Sequence, residues 1–443
     1  MGPMSSRSRV LLFLVSTPIA AMLIVGGLLG AARPAAQQGV SHLRVFEDVV
    51  QLITHAYVED VNVDRVFDGA MRGLSDGLDP SSAYLTPDEV RAVEANQPLP
   101  AGDVGLVLSR QFYLRIVSVR DGSAAKRAGL AEGDFVRAID DKPTRDLSAF
   151  AGTRLLRGAP GSKVKLLVFR NSAAEPHTVE LTRETSTADA VTSRKLPSGE
   201  IYLRVNSFGT GTPAAIRTHL PLGGLEAANA GRAEGRVAAD PGTPVLIDLR
   251  STADGAPEDG IAAARLFVKS GTLATRASRS TPAPTVTSAG PGDGALTMPV
   301  VLLVSTGTAN AAEVFAAALA NNRRARLVGE PTAGIAGVQR LVKLPEGHGL
   351  WLTYAQYLQA DGTPIHQNGL RPDVPVEVPS VAFDETPPAP PAPPANDAVL
   401  DRALQDLKSG GSPRNDATSS TTKPGTAPAQ SAPRNLLPPT TPR

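Results

Sequence analysis

The chain of 443 residues has no cysteine. This absence excludes disulfide bonds, thiolate catalysis and zinc–thiolate sites, and it leaves the redox compartment open. The formal net charge of +1 provides no overall field that would attract a polyanion, so nucleic acid is not an expected partner. No two of the six histidines have the spacing of metal ligands, and the sequence predicts neither a metal site nor a cofactor.

The N-terminus carries an almost uninterrupted apolar run at residues 10–32, preceded by Arg7 and Arg9. A helix needs about 20 such residues to cross a bilayer, and a cationic flank before the run indicates export. Because the run exceeds the roughly 7 to 15 apolar residues of a cleaved signal, we predict an uncleaved signal anchor at residues 1–32. Small residues at 30–32 leave a cleavage site as the alternative. The expected location is the bacterial cell envelope, with an inner-membrane anchor and the bulk of the chain in the periplasm.

Composition divides the rest of the chain. An Ala/Pro/Gln-rich stretch at residues 33–41 is predicted to be a linker. Residues 42–98 form an N-terminal helical part, because their apolar side chains recur at three- and four-residue intervals. Residues 381–443 are rich in Pro, Ala, Ser and Thr and cannot bury enough apolar surface to fold. We predict a disordered tail there, with a short helix at 398–407.

Residues 99–185 combine short apolar strands with a motif that runs from Ser123 to Asp134. The motif resembles the Gly-Ser-Pro-Ala-x-x-Ala-Gly-Leu-x-x-Gly-Asp sequence of PDZ domains, and residues 146–156 match their second helix. The resemblance implies a small β barrel with two helices. It also implies that a C-terminal peptide adds to a strand while backbone amides hold its carboxylate. The implied peptide-binding residues are Val104, Gly105, Leu106 and Val107.

Residues 186–380 alternate apolar strands with helices, which predicts an α/β core with crossover connections inside an α/β (α+β) multidomain protein. Within this core, residues 307–313 and 328–339 resemble the active-site region of the C-terminal processing peptidases, family S41. The family pattern is small-Ser-Ala-Ser-Ala-Ser-Glu, then Gly-Glu-x-x-x-Gly-Lys-Gly-x-Val-Gln. Its middle serine is the nucleophile and its lysine is the base. Residues 77–89 resemble the family's Leu-Asp-Pro-His-Ser-x-Tyr-Leu segment.

This chain has Asn310 where the resemblance places the serine and Ile335 where it places the lysine. An amide does not attack a carbonyl, and isoleucine has no lone pair to accept a proton. Gln339, which assists the lysine in the family, is retained. In the segment that matches the oxyanion loop, Asp254 replaces a glycine before Gly255. If the carboxylate of Asp254 faced the oxyanion, it would oppose the developing charge.

These replacements predict a catalytically inactive S41 homologue, and the apolar run at residues 10–32 predicts that it is membrane-anchored. It would bind C-terminal peptides of other proteins as a scaffold or regulator of proteolysis, with an active protease or a second copy as a further partner. The alternative is an active serine-type endopeptidase with non-standard groups. Its nucleophile would be Thr308 or Ser305, and its base Lys343 or His348. We expect His366 to lie in a structural turn.

Overall fold

The computed structural model describes residues 34–95, 98–170, 175–186, 188–220, 242–378 and 397–409. The predicted signal anchor at residues 1–32 and most of the predicted tail at 381–443 lie outside the described residues. Within the described ranges, no helix is both long enough and apolar enough to cross a membrane.

The N-terminal part begins with two helices, α1 (Pro34–Ala56) and α2 (Val63–Asp76). Helix α1 includes residues 34–41, which are most of the stretch predicted to be a linker. Proline is favourable at the start of a helix, and the alanines and glutamines that follow are good helix formers. Strand β1 (Ala83–Leu85) leads into helix α3 (Pro87–Glu94), where Thr86 and Glu89 form a capping box.

The PDZ-like domain is built on one six-stranded sheet with two helices, α4 (Ala124–Arg127) and α5 (Ala149–Leu156). The strand order is β2-β3-β4-β6-β7, and β5 pairs with β4. Among the described strands β2 and β7 do not pair, so the sheet is open where the sequence predicted a small barrel. Strand β2 is therefore an edge strand. The strands are β2 (Leu106–Gln111), β3 (Tyr113–Val119), β4 (Phe135–Ile139), β5 (Lys142–Pro143), β6 (Lys163–Phe169) and β7 (His177–Thr182).

The core contains a second six-stranded sheet. Its neighbouring strands are parallel, except for β8 and β9, which pair antiparallel. Its order is β17-β14-β13-β10-β9-β8. Such strands are covered on both faces and need apolar side chains throughout, which explains the fully buried run of Val300–Val304. The strands are β8 (Val191–Lys195), β9 (Ile201–Val205), β10 (Val245–Asp248), β13 (Val300–Val304), β14 (Ala325–Gly329) and β17 (Val374–Pro375).

Helices cover both faces of this sheet. The main apolar core includes α6 (Thr212–His219), α7 (Pro257–Ala264) and α8 (Ala311–Asn321). The opposite face packs against α9 (Ala398–Lys408), the helix predicted at 398–407. Because β10 and β13 are parallel neighbours, the loops that follow them meet at one edge of the sheet. That edge carries Asn310.

A third, five-stranded sheet connects the N-terminal part to the core. Strand β1 pairs with β16, β16 also pairs with β11 and β15, and β12 completes the edge. These strands are β11 (Thr272–Ser278), β12 (Thr285–Ser288), β15 (Gly337–Lys343) and β16 (Gly349–Leu358). The loop before β15 contains Ile335, the residue at the position of the family's lysine, so this sheet helps to position it.

Candidate functional site

Asn310 occupies a sharp turn between strand β13 and helix α8. Its backbone angles are φ 50° and ψ −119°, in the left-handed half of conformational space that costs a non-glycine residue free energy. A strained turn from a strand into a helix is also the geometry that exposes the nucleophile in many hydrolases. The turn thus places the side chain of Asn310 at the N-terminus of α8.

The side-chain amide of Asn310 is hydrogen-bonded to the loop after β10. Its Nδ2 donates to the carbonyl of Ala253 at 2.9 Å. The backbone amide of Ala309 donates to the carbonyl of Thr252 at 2.9 Å, which connects the same two loops. Asn310 therefore ties the two loops together, and it supplies no hydroxyl at the turn.

Glu313 holds the loop that contains Ile335. It lies three residues after Asn310 on α8 and is fully buried. Its Oε1 accepts from the Gly334 amide at 2.7 Å, and its Oε2 accepts from the Ile335 amide at 2.8 Å. The Thr332 hydroxyl is a third donor. Burial raises the pKa of Glu313 to about 7, and the three hydrogen bonds limit the rise. The same helix thus positions residues 310 and 335.

The side chain of Ile335 packs in a small apolar cluster between the core and the PDZ domain. The strands of the PDZ domain contribute Val107 and Val117 to it, so these strands lie directly against the loops of Asn310 and Ile335. Residue 335, where the family has its lysine, thus contributes an apolar side chain to this cluster. The remaining members of the cluster are Ala253, Ala309 and Ala333.

Polar contacts hold the PDZ domain in this position. The carboxylate of Glu132 accepts from the hydroxyls of Ser305 and Thr306, each at 3.1 Å, and also from Ser251. A Cβ atom at Gly307 would lie 2.2 Å from Oε1 of Glu132, so the missing side chain leaves the room for this carboxylate. This role of Glu132 could not be predicted from the sequence, because its partners are more than a hundred residues away.

The groups of the alternative active enzyme are not brought together. Thr308 is fully buried and donates its hydroxyl to the carbonyl of Leu249 at 2.9 Å. Ser305 is bound to Glu132, as described above. Lys343 pairs with Glu94, and His348 contacts the hydroxyl of Tyr84. Both bases lie at the hairpin end of β15, about 20 Å along the strand from its start beside Ile335.

Asp254 and Gly255 follow strand β10, in the segment that matches the family's oxyanion loop. The carboxylate of Asp254 accepts from Nε and Nη2 of Arg120 at 3.0 and 2.7 Å. Burial alone would lower the pKa of Arg120, but Asp254 and Asp103 outweigh burial and raise it. The negative charge of Asp254 is therefore compensated by the PDZ domain. Gly255 has φ 112°, and a Cβ there would lie 2.4 Å from the carbonyl oxygen of Phe208.

Gln339 belongs to a polar network that also contains Thr353, Asp79 and His366. Its Nε2 donates to Oγ1 of Thr353 at 3.2 Å, and Thr353 donates to Oδ1 of Asp79 at 3.2 Å. His366 is buried in a turn with Nε2 3.5 Å from the same oxygen. Burial alone would raise the pKa of Asp79, but His366 and Ser82 hold it below its ordinary value. Gln339 is thus engaged with a structural network, in which His366 lies in the expected turn.

The four residues predicted to bind a peptide lie together at the start of edge strand β2. Leu106 and Val107 belong to β2, and Val104 and Gly105 precede it. Gly105 has φ 82°, which favours glycine. Its amide donates to Oδ1 of Asp103 at 2.7 Å. Val107 faces the apolar cluster of Ile335, so it contacts the core as well as shaping the edge strand.

Comparisons with known proteins agree with this architecture. The model of peptidase family S41 matches residues 202–376, and a PDZ domain model matches residues 115–170. A carboxyl-terminal-processing protease of Synechocystis sp. is 30% identical over 341 residues, which cover 75% of this chain and 74% of the relative. The carboxy-terminal processing protease CtpA of Bacillus subtilis is 27% identical over 377 residues, which cover 84% of this chain and 77% of the relative.

A solved structure shows the same fold. The photosystem II D1 C-terminal processing protease matches with a TM-score of 0.58 at 24% identity, covering 75% of this chain and 92% of that chain. The protease of Synechocystis sp. and the two domain models confirm the sequence resemblance to the family. The chain belongs to the carboxyl-terminal-processing proteases of peptidase family S41 and carries a PDZ domain.

Proposed function

We propose that this family member does not hydrolyse peptides. The proposal is carried by the side chains at residues 310 and 335. The amide of Asn310 is engaged with Ala253, and Ile335 packs against the apolar cluster that contains Val117. A serine hydrolase needs a hydroxyl and a nearby proton acceptor in these places, and this chain supplies neither. The alternative active enzyme loses support because Thr308 donates to a backbone carbonyl and the candidate bases lie at the far end of β15.

The remaining activity in this proposal is peptide binding by the PDZ domain. Edge strand β2 offers backbone groups for an added strand, and the turn at Gly105 allows close approach. The protein would then act as a scaffold or as a regulator of proteolysis, in contact with an active protease or with a second copy of itself. The family resemblance predicts peptide C-termini as ligands.

The proposed location is the bacterial cell envelope. Arg7 and Arg9 before the apolar run at residues 10–32 support export and an anchor in the inner membrane. The PDZ domain and the core would then face the periplasm. Fractionation of cells, followed by protease treatment of spheroplasts, would test this: a protein released with the cytosol would contradict the location.

Hydrolysis assays test the absence of catalysis. We expect wild-type protein to cleave casein and C-terminally tailed peptides no faster than the Asn310→Ala variant. In a serine hydrolase, loss of the catalytic groups costs about 10⁶ in turnover. A fluorophosphonate probe should leave the wild type unlabelled, because only an activated hydroxyl reacts.

Two further variants serve as controls for this test. Thr308→Ala and Ser305→Ala remove the hydroxyls of the alternative enzyme. Wild-type turnover that disappears in either variant would establish an active peptidase with a non-standard nucleophile. Equal background in all variants supports the proposal.

A further inference from the structure

The loop before strand β2 is the place where a PDZ domain holds the terminal carboxylate of its ligand. In this chain the loop already contains a carboxylate. Oδ1 of Asp103 accepts from the Gly105 amide at 2.7 Å. Oδ2 lies 3.2 Å from Nη2 of Arg120 and 3.1 Å from Nη2 of Arg157. The side chain of Asp103 is 8% exposed, so its charge is buried and fully engaged.

An aspartate carboxylate that accepts a hydrogen bond from the amide two residues later is common in turns. The arrangement at Asp103 goes beyond that local motif, because two guanidinium groups from other elements converge on the second oxygen. Arg120 follows strand β3, and Arg157 follows helix α5. Arg120 also binds Asp254 at 2.7 Å. The group therefore contains two carboxylates and two guanidinium groups, and its formal charges cancel.

A cavity of about 230 Å³ adjoins this group and is lined by Asp103, Arg120, Arg157 and Asp254. A peptide that brought its own carboxylate to Gly105 would have to displace Asp103. The displaced charge would lose a backbone donor, and the four-membered group would carry an excess negative charge. Burying an unpaired charge is strongly unfavourable, so a free C-terminus gains little at this loop.

We propose that Asp103 is a built-in carboxylate ligand of the PDZ loop and that the domain binds extended segments without selecting a free C-terminus. This inference rests on the peptide binding proposed above and refines it. Strand pairing with β2 and side-chain contacts supply the affinity, and the terminal carboxylate that the family resemblance implies is not a recognition element.

The first test uses sodium acetate as a probe of the loop. Asp103→Ala removes the side-chain carboxylate and leaves the Gly105 amide and the guanidinium groups of Arg120 and Arg157 free to bind a small anion. We expect 50 mM acetate, compared with chloride at equal ionic strength, to raise the melting temperature of full-length Asp103→Ala by about 3 °C or more. Wild type and Asp103→Asn should not respond, because their own side chains fill the loop.

Asp103→Ser replaces the alanine variant if that variant does not fold, since its shorter side chain also vacates the place of the carboxylate. An equal response to acetate in wild type and in the shortened variants would overturn the proposal. So would the absence of any response in the shortened variants.

The second test compares two probe peptides by calorimetry. They are acetyl-Ser-Ala-Leu-Val-Ala-Ala with a free carboxylate and the same peptide with a carboxamide. Wild type should bind both within about twofold, whereas Asp103→Ala should favour the free carboxylate about tenfold. Asp134→Ala is the matched control. Asp134 is another buried aspartate of the same domain; it pairs with Arg170 and accepts a hydrogen bond from the Ala131 amide.

The outcomes separate the two proposals. A tenfold preference of wild type for the free carboxylate, lost in Asp103→Ala, would overturn the role of Asp103 while supporting peptide binding. If acetate stabilises Asp103→Ala but neither peptide binds wild type or any variant, the built-in ligand stands and the proposed peptide-binding function fails. A changed preference in Asp134→Ala would show that the effect reflects general destabilisation, which also counts against the proposal.

Discussion

Replacing Glu313 by alanine is expected to lower the free energy of unfolding by about 3 to 4 kcal/mol. The change leaves the Thr332 hydroxyl and the amides of Gly334 and Ile335 buried without their acceptor. Each buried donor without a partner costs about 1 to 3 kcal/mol, and relief from burying the carboxylate offsets part of the sum. Urea unfolding followed by circular dichroism measures the difference.

Glu180→Ala is the control for this prediction. Glu180 is exposed and pairs with Lys163 on the surface of the PDZ domain. Surface ion pairs contribute about 0 to 1 kcal/mol, so this variant should differ little from wild type. Equal stability of the two variants would mean that Glu313 does not hold the loop of Ile335.

The stability contributed by Glu313 should also depend on pH. Its pKa is raised to about 7 in the folded protein, against about 4.3 in the unfolded chain. Below pH 4 both states are protonated. Between pH 4.3 and 7 the folded state retains the proton that the unfolded state has lost, so stability falls as the pH rises. Well above pH 7 both states are ionised and the loss is complete, at about 4 kcal/mol.

The non-titrating variant Glu313→Gln isolates this contribution, because other titrating groups cancel in the difference between the two proteins. We expect the stability of wild type relative to Glu313→Gln to decrease by about 3 kcal/mol from pH 4.5 to pH 7.5. A difference that is independent of pH would contradict the raised pKa of the buried carboxyl.

Replacing Gly260 by alanine is expected to destabilise the core by about 2 kcal/mol. Helix α7 crosses the start of helix α8 at this glycine. A Cβ atom at residue 260 would lie 2.1 Å from the carbonyl oxygen of Ala311, which is backbone and cannot rotate away. The two helices must separate, and overpacking of this kind costs about 1 to 3 kcal/mol or more. The gain of about 1 kcal/mol in helix propensity offsets only part of that cost.

Gly73→Ala is the matched control, since Gly73 lies inside helix α2 with no atom within 4 Å of its missing Cβ. The same chemical change should stabilise the protein there by about 0.5 to 1 kcal/mol. Opposite signs for the two variants in thermal or urea unfolding would confirm that close helix packing beside Asn310 requires the glycine. Stabilisation by both variants would show that α7 and α8 separate without cost.

The sequence by itself determined which family the chain belongs to and which catalytic groups it lacks. The segment from Ser123 to Asp134, the spacing between residues 310 and 335, and the capping residues around Thr86 are local patterns. Local patterns follow from turn chemistry and apolar periodicity, which depend on neighbouring residues. The loss of a hydroxyl at Asn310 and of an amine at Ile335 is likewise visible from residue identity alone.

Composition predicted a linker at residues 33–41, and in the structure helix α1 begins at Pro34. Larger differences concern contacts across the chain. The pairing of Asp254 with Arg120 joins residues 134 positions apart, and Glu132 reaches Ser305 across 173 positions. No periodicity links residues at such separations. The sequence therefore placed Asp254 in the oxyanion loop but could not identify Arg120 as its partner.

Residue identity thus decided which chemical groups this protein possesses, and the tertiary structure decided which of them meet. Only the packed chain brings Val117 of the PDZ domain and Ile335 of the core into one apolar cluster and sets Asp103 among Gly105, Arg120 and Arg157. The physical reason is that side-chain contacts between domains depend on how two complete surfaces fit together, and neither surface exists until its own strands and helices have formed.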